Sequence, residues 1–294
     1  MPPDTPLQKS PYLRIRTTLE MIKFEHSVFA LPFALTGAVL AVRGWPSARQ
    51  VLWLVVAMVG ARSAAMTFNR IADLRFDAAN PRTRARALPA GQLSLGFAAG
   101  FTALSCAVFI LAARELNPLA FRLSPIVIVL VFGYSYTKRF TVLSHLILGA
   151  CLGLSPLATA VALGGRIDKG ILLLGVAVMF WVAGFDLIYA CQDVEFDRRE
   201  GLFSIPARFG IRTALWLSGA MHVIMLGLLV AAARAENLGW VAFVGLALVG
   251  LLLAYEHGLV RPSDLSRLNA AFFNINGYVS VLFFVTWATD ILAR

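Results

Sequence analysis

The chain has 294 residues, of which 59% are hydrophobic and 14% charged, and its mean hydropathy is +0.76. Because a soluble domain carries about a quarter charged residues, this composition excludes an ordinary soluble protein and indicates an integral membrane protein. The net charge of +10 does not indicate a nucleic-acid-binding protein, since the basic residues lie in short loops beside acids. The three cysteines are far apart within apolar segments and predict neither a disulfide framework nor a zinc site.

Apolar segments close to the roughly 20 residues that cross a bilayer recur along the whole chain. The predicted spans are 22–42, 50–69, 93–113, 117–136, 142–163, 170–190, 213–233, 237–256 and 272–291. A polar segment, 1–20, precedes them, and its lack of a small-residue cleavage site predicts that it is not a removable signal peptide. The sequence thus predicts an all-α polytopic membrane protein with nine transmembrane helices in a single domain, 1–294.

The distribution of Lys and Arg predicts the orientation of these spans. Most of the 26 basic residues fall in the N-terminal segment and in the loops after spans 2, 4, 6 and 8. Because cytoplasmic loops carry an excess of Lys and Arg, the N-terminus is expected in the cytoplasm. The two longest polar connections, 70–92 and 191–212, then lie on the cytoplasmic side.

The stretch FNRIADLRFDAANPRTRARALPAG, residues 68–91, runs from the end of the second span through the first of these connections. Asn69, Asp73 and Asp77 follow one another at four-residue steps, which puts them on one face of a helix. The stretch DLIYACQDVEFDRREG, residues 186–201, runs from the end of the sixth span into the second connection, and its Asp193 and Asp197 repeat the spacing. This similarity predicts an internal duplication in which spans 2 and 6 play equivalent roles.

Acids at a membrane boundary are costly unless they are paired or bind a metal. Oxygen ligands on two facing helices suit Mg²⁺, which binds through a few carboxylates together with substrate phosphates. Nearby basic residues can bind the remaining phosphate oxygens, and the candidates are Arg82, Arg86, Lys138, Arg139 and Arg199. A single acid pair is more often a solvated helix edge, and the arginines alone would only mark topology. Two pairs on one side of the membrane favour a diphosphate site.

Ionisable residues inside predicted spans are functional candidates by default. Arg62 and Asp186 qualify, and Asp186 lies two turns before Asp193. Glu25 and His26, near the start of the first span, fit an interfacial role equally well.

Other polar side chains have ordinary structural interpretations. His145 and His222 have no partners at metal-binding spacing, so they are interpreted as packing or interfacial residues. Tyr134 and Tyr136 fit either an interfacial aromatic belt or a site.

These motifs resemble those of the UbiA superfamily of intramembrane aromatic prenyltransferases. As in that family, the first motif continues into Arg82, Thr83 and Arg86 and then into Leu-Pro-x-Gly at 88–91. The second motif, Asp-x-x-Tyr-x-x-x-Asp-x-x-x-Asp, includes Tyr189. Between the two motifs, YSYTKRFT at 134–141 is similar to the family's Tyr-x-x-x-Lys-Arg-x-Thr. FFNINGYVS at 272–280 resembles the last helix of the 4-hydroxybenzoate branch.

The resemblance implies nine helices around a central cavity in a bacterial inner membrane, with the active site on the cytoplasmic side. It implies that Mg²⁺ is held against the diphosphate of a polyprenyl donor by Asn69, Asp73, Asp77, Asp193 and Asp197. The isoprenoid tail would lie in an apolar tunnel open to the lipid bilayer. The donor's allylic cation would then alkylate an aromatic acid for ubiquinone or menaquinone biosynthesis.

The expected contacts with the aromatic acid come from three residues. Arg62 lies seven residues before Asn69, which is two helical turns and roughly the same face, and it is expected to pair with the acid's carboxylate. Asp186 or Tyr189 is expected to orient the hydroxyl group.

The chain departs from the family pattern at two places. Arg70 follows Asn69 where many members have Asp, and 201–204 reads Gly-Leu-Phe-Ser instead of Gly-x-Lys-Ser. The missing lysine suggests that Arg199 or Arg208 binds phosphate instead. The stretch KFEHSVFALPFAL, 23–35, resembles a branch linked to menaquinone made through futalosine, so 4-hydroxybenzoate and a dihydroxynaphthoate are both candidate acceptors.

Two alternatives differ in substrate or class. Another acceptor within the superfamily would be a haem, chlorophyll or lipid precursor. A membrane transporter is the other alternative, but transporters bind substrate near the bilayer midplane with interrupted helices, whereas both acid motifs here fall at helix ends on one side.

Overall fold

The computed structural model describes residues 11–23, 27–268 and 271–293. Its α-helices are α1 Pro11–Met21, α2 Ser27–Val42, α3 Ala48–Ala72, α4 Leu74–Ala79, α5 Leu95–Leu116, α6 Pro118–Thr137, α7 Ser144–Ala162, α8 Lys169–Ala190, α9 Val194–Arg199, α10 Ile205–Phe209, α11 Ile211–Ala235, α12 Trp240–Leu259 and α13 Asn276–Leu292. A 3₁₀ turn, Cys191–Asp193, joins α8 to α9, and a π-helical turn, Ala271–Ile275, precedes α13. Helices and one isolated β-bridge account for the regular structure of these ranges, which confirms the all-α class.

Eight helical segments of the described chain are long and apolar enough to cross a membrane. They are α3, α5, α6, α7, α8 continued through α9, α11, α12, and α13 with the residues from Phe273. The first predicted span, 22–42, falls on α2, which has 16 residues, and on residues 24–26, which lie outside the described ranges. The protein is therefore an integral membrane protein, and its ninth span stays a prediction.

Polar caps determine where several spans begin. The Ser47 side chain accepts a hydrogen bond from the backbone N–H of Gln50 at the start of α3, and Gln50 bonds back to Ser47. Asn117 caps α6 directly before a proline, and Asp168 caps α8. These side chains satisfy backbone N–H groups that have no partner within a helix.

The most enclosed helix is α8, which packs between α7 and α11. Its Trp181 and Leu187 are fully buried. A Cβ on Gly149 of α7 would lie 2.2 Å from the Met179 carbonyl oxygen of α8, so glycine is needed for this close approach. Helix α3 packs instead against α5. The two helices that carry the acid motifs are thus supported separately, and a cavity lies between them.

The two acid motifs have the same local structure. Each long helix is interrupted at an aspartate and continues as a six-residue helix, α4 or α9. The backbone of Asp73 has φ −96° and ψ 9°, and that of Asp193 has φ −104° and ψ 9°. Because Asp77 N–H still bonds to the Asp73 carbonyl oxygen at 2.8 Å, the predicted four-residue ridge is preserved through the interruption. This correspondence is what an internal duplication would produce.

Candidate functional site

A cavity of about 760 Å³ extends into the bundle between α3, α6, α7 and α8. Both acid motifs line its mouth. Residues from α5 also line it, and its inner walls are apolar, with Leu54, Met58, Leu123 and Leu152 among them. Such a space can hold a charged group at the mouth and an apolar chain in the interior.

The first acid of the first motif is bound from two directions. The side-chain amide of Asn69 donates to Asp73 Oδ2 at 2.9 Å. The Arg139 guanidinium lies 3.2 Å from Asp73 Oδ1 and also donates to the Ala72 carbonyl oxygen at 2.6 Å. Arg139 further stacks over the rings of Phe76 and Tyr136. The loop after α6 is therefore joined to the end of α3.

The second acid, Asp77, is buried between two arginines. Arg86 Nη1 contacts its two carboxylate oxygens at 2.7 and 2.9 Å. Arg70, which replaces the acid of the family pattern, is buried and lies 3.9 Å from Asp77 Oδ2. Arg70 therefore places a buried positive charge beside the cavity, at a position where many family members have an acid.

Asp193 of the second motif is held by the loop that follows the first motif. The Asn80 amide donates to Asp193 Oδ1 at 3.0 Å, and Arg82 contacts both carboxylate oxygens. Arg82 Nη1 also donates to the Tyr189 hydroxyl at 3.1 Å. This bidentate pair joins the two motifs directly.

Asp197 is completely buried and has two partners. Lys138 Nζ lies 2.8 Å from Asp197 Oδ1, and the Ser204 hydroxyl donates to Oδ2 at 2.7 Å. The backbone N–H of Phe203 bonds to the Lys138 carbonyl oxygen at 2.7 Å. Asp197 thus joins the loop after α6 to the loop after α9.

Two groups at the cavity mouth, Asp73 and Arg82, have pKa values above their ordinary values, for different reasons. Burial raises the pKa of Asp73 above its ordinary value, although the hydrogen bond from Arg139 opposes the rise. Burial alone would lower the pKa of Arg82, but its hydrogen bond with Asp193 and the charge of that acid outweigh burial and raise it. Arg82 is therefore firmly charged, and a nearby cation would stabilise the charged form of Asp73.

The donor chemistry of the mouth fits a hard divalent cation. The predicted ligands, Asn69, Asp73, Asp77, Asp193 and Asp197, offer oxygens, which Mg²⁺ prefers, and all five line the cavity. Across the described ranges, however, no three acidic, histidine or cysteine side chains converge closely enough to hold a metal ion. Each carboxylate instead contacts a cationic side chain.

Asp186 forms a dyad with a histidine. His145 Nδ1 lies 2.7 Å from Asp186 Oδ2, and the Asp186 side chain is 23% exposed, facing the cavity. The sequence suggests packing or interfacial roles for His145 and His222, and both side chains also have polar partners. His222 contacts His257 at 2.9 Å and the Trp181 carbonyl oxygen.

Arg62 and Tyr134 both line the cavity. Arg62 donates to the Lys23 carbonyl oxygen at 3.3 Å, which joins α3 to the segment after α1. Glu25 and His26 lie outside the described residues.

Arg199 and Arg208 are not brought to the cavity. Arg199 is 63% exposed and lies 3.5 Å from Glu200, and Arg208 stacks over Phe203. Since residues two apart on a helix point about 200° apart, Arg199 faces away when Asp197 faces inward. The expectation that either arginine replaces the missing lysine has no support in this placement.

Sequence inspection did not identify Asn80, Ser204 or His145 as site residues. His145 could have been found, because an ionisable residue inside a predicted span is a functional candidate in the same way as Arg62. Asn80 and Ser204 lie in loops, where spacing alone does not predict which acid a side chain meets.

Comparisons with known proteins identify the family of this chain. The model of the UbiA prenyltransferase family matches residues 30–278. A 4-hydroxybenzoate octaprenyltransferase from Enterobacter sp. (strain 638) is 32% identical over 225 residues, covering 76% of this chain and 77% of the relative. One from Vibrio cholerae is 32% identical over 243 residues, covering 82% and 84%.

Solved structures show the same fold. The apo structure of a UbiA homolog from Aeropyrum pernix K1 has a TM-score of 0.82 and 38% identity, covering 91% of this chain and 98% of that one. A UbiA homolog from Archaeoglobus fulgidus bound to GPP and Mg²⁺ has a TM-score of 0.72 and 18% identity, covering 95% and 100%.

Proposed function

Because the chain belongs to the UbiA prenyltransferase family and is a prenyltransferase, we propose that it transfers a polyprenyl group from a polyprenyl diphosphate to an aromatic acid, with Mg²⁺ as cofactor. The observation that carries the proposal is the cavity mouth, where four aspartates from two helices meet a set of cationic side chains. The apolar interior behind this mouth fits the isoprenoid tail of the donor.

The acids at the mouth would hold the metal, with the Asn69 amide as a further oxygen ligand. When bound, a divalent cation neutralises the charge that develops on the leaving diphosphate. In the structure, each of the four acids pairs with a cationic side chain, namely Arg82, Arg86, Lys138 or Arg139. Once the acids bind metal, these side chains become available for diphosphate oxygens, so the same cations serve both states of the site.

The acceptor is an aromatic acid with a phenolic hydroxyl group. The relatives named 4-hydroxybenzoate octaprenyltransferase make 4-hydroxybenzoate the first candidate acceptor. The resemblance of residues 23–35 to the menaquinone branch makes a dihydroxynaphthoate the second. As the carbon–oxygen bond of the donor breaks, its electron pair leaves with the diphosphate. The allylic carbon then bonds to a ring carbon beside the hydroxyl group, and loss of the ring proton restores aromaticity. The apolar walls keep water from the allylic cation.

The direct test is a transfer assay with membranes that contain the protein. Octaprenyl diphosphate, Mg²⁺ and either aromatic acid are supplied, and products are identified by mass spectrometry. The proposal predicts a prenylated acid that is absent without Mg²⁺ and absent from membranes lacking the protein. Prenylation of a haem, chlorophyll or lipid precursor, with neither acid used, would refute the proposed acceptor class.

We propose that Arg62 binds the carboxylate of the acceptor. Arg62→Ala is expected to weaken binding of 4-hydroxybenzoate by about 10- to 100-fold, because a charge-assisted hydrogen bond is lost, while leaving the affinity for the donor unchanged. Equilibrium binding to the purified protein measures both. Arg75→Ala, at an exposed position of α4, is the matched control. An Arg62→Ala protein with full affinity for the acid would exclude this role.

We propose that the cavity mouth faces the cytoplasm of a bacterial cell, on the basis of the Lys and Arg distribution. In a protein whose native cysteines are replaced, a cysteine introduced at Arg84, which is exposed, should react with an impermeant maleimide only after lysis. A cysteine introduced at Arg234, which is exposed near the C-terminal end of α11, should react in spheroplasts. The reverse pattern would place the mouth on the outer side.

A further inference from the structure

The dyad of His145 and Asp186 lies deeper in the cavity than the four acids that pair with cations. His145 is the second residue of α7, and Asp186 lies within α8, one turn before Tyr189 and nearly two before Asp193. With Asp186 ionised, the His145 Nδ1–H donates to its Oδ2 at 2.7 Å. The other carboxylate oxygen, Oδ1, accepts no hydrogen bond from any described residue, so it is available for a ligand in the cavity.

The burial of His145 indicates that it has a specific task. Its side chain is only 3% exposed, and its Nε2 is buried without a partner among the described residues. An unpaired buried nitrogen is destabilising, and an apolar side chain at this position would avoid that cost. What His145 provides in return is one hydrogen bond, which fixes the orientation of a carboxylate that faces the cavity.

We propose that His145 is a positioning residue that holds Asp186 so that Oδ1 accepts a hydrogen bond from the hydroxyl group of the aromatic acid. This inference rests on the proposed function. The ligand class follows from the chemistry of Oδ1, since an ionised carboxylate only accepts hydrogen bonds and selects a hydroxyl donor. A second hydrogen bond to a ligating carboxylate fixes its geometry, as in other sites where an outer partner orients the contacting group.

The positioning role makes the site selective for a hydroxylated ring. A bound acid without a hydroxyl group leaves Asp186 Oδ1 without a hydrogen-bond donor, and a site built to bind a hydroxyl group rejects an analogue that lacks it. The wild-type protein should therefore bind 4-hydroxybenzoate at least about 10-fold more tightly than benzoate. This preference does not require turnover, so it can be measured separately from prenyl transfer.

Two substitutions at one position test the role. His145→Asn places an amide N–H where Nδ1–H lies, whereas His145→Leu has nearly the same shape as the asparagine variant but no donor. Binding of 4-hydroxybenzoate and of benzoate to each purified protein is measured by calorimetry, with thermal unfolding as a check on the fold. H145N should keep most of the preference for 4-hydroxybenzoate, and H145L should reduce it to about 2-fold or less. Affinity for geranyl diphosphate with Mg²⁺ should be unchanged in both.

The outcomes separate this inference from the proposed function. If H145N and H145L show the same preference, or if the wild type does not discriminate between the acids, the positioning role is excluded, even where transfer occurs. If the wild type and H145N prefer 4-hydroxybenzoate, H145L does not, and the wild type transfers no prenyl group, the role stands and the proposed reaction fails. Equal losses of acid and donor affinity in both variants would show that His145 acts only in folding.

Discussion

Replacing Asp193 by asparagine is expected to lower the turnover of prenyl transfer by about 100- to 1000-fold, the usual effect of removing one group that stabilises developing charge. The substitution keeps the size of the side chain and can still accept a hydrogen bond from Asn80, so the fold should persist. It removes the charge that Arg82 contacts at both oxygens. The site would lose a carboxylate that we propose as a metal ligand, and Arg82 would lose its counter-ion. Turnover is measured with saturating 4-hydroxybenzoate and octaprenyl diphosphate.

The local similarity of α3–α4 and α8–α9 makes Asp73→Asn the companion variant, with an expected loss of the same order. Glu195→Gln is the control, because Glu195 lies on α9 only two residues after Asp193 but is exposed. It should retain wild-type turnover. Normal turnover of both aspartate variants would show that the paired motifs have no role in the reaction.

Replacing Ala57 by phenylalanine is expected to change which donors the protein uses. Ala57 lines the inner part of the cavity, 16 residues before Asp73, or about 24 Å along a helix axis. A phenyl group there would obstruct a long isoprenoid tail, at a cost typical of overpacking. Transfer from octaprenyl diphosphate should fall at least about 10-fold, while transfer from geranyl diphosphate should change little. Competition between the two donors measures the ratio in one reaction.

Ala99→Phe is the matched control for this change, since Ala99 lies at an exposed position of α5. It should leave the ratio of donors unaltered. Equal losses with short and long donors in the Ala57→Phe protein would mean that the tail does not follow this part of the cavity.

The sequence was sufficient to predict the eight spans that the described residues contain and the pairing of the two acid motifs. Apolar length determines a span, and the four-residue spacing survives in the structure because backbone hydrogen bonds continue past Asp73. Span ends were less predictable. Helix α5 extends to Leu116, beyond the predicted end at 113, because Arg114 and Glu115 continue the helix after the apolar run ends.

The partners of each acid were not predictable from spacing. Arg82 meets Asp193, 111 residues away, because the loop after α4 turns back across the cavity mouth. Arg199 is close to Asp197 in sequence but faces away from it. The cation that contacts Asp197 is Lys138, which directly follows α6. Such contacts depend on the packing of separate helices, which a single sequence does not specify.

We propose that both aspartate motifs act together on one diphosphate with a divalent cation. The most direct test is calorimetric titration of geranyl diphosphate into the purified protein, with Mg²⁺ present and with the metal removed by a chelator. Tight binding is expected only with Mg²⁺, and it should be weakened by either Asp73→Asn or Asp193→Asn. Equally tight binding without the metal, unaffected by both substitutions, would contradict the claim.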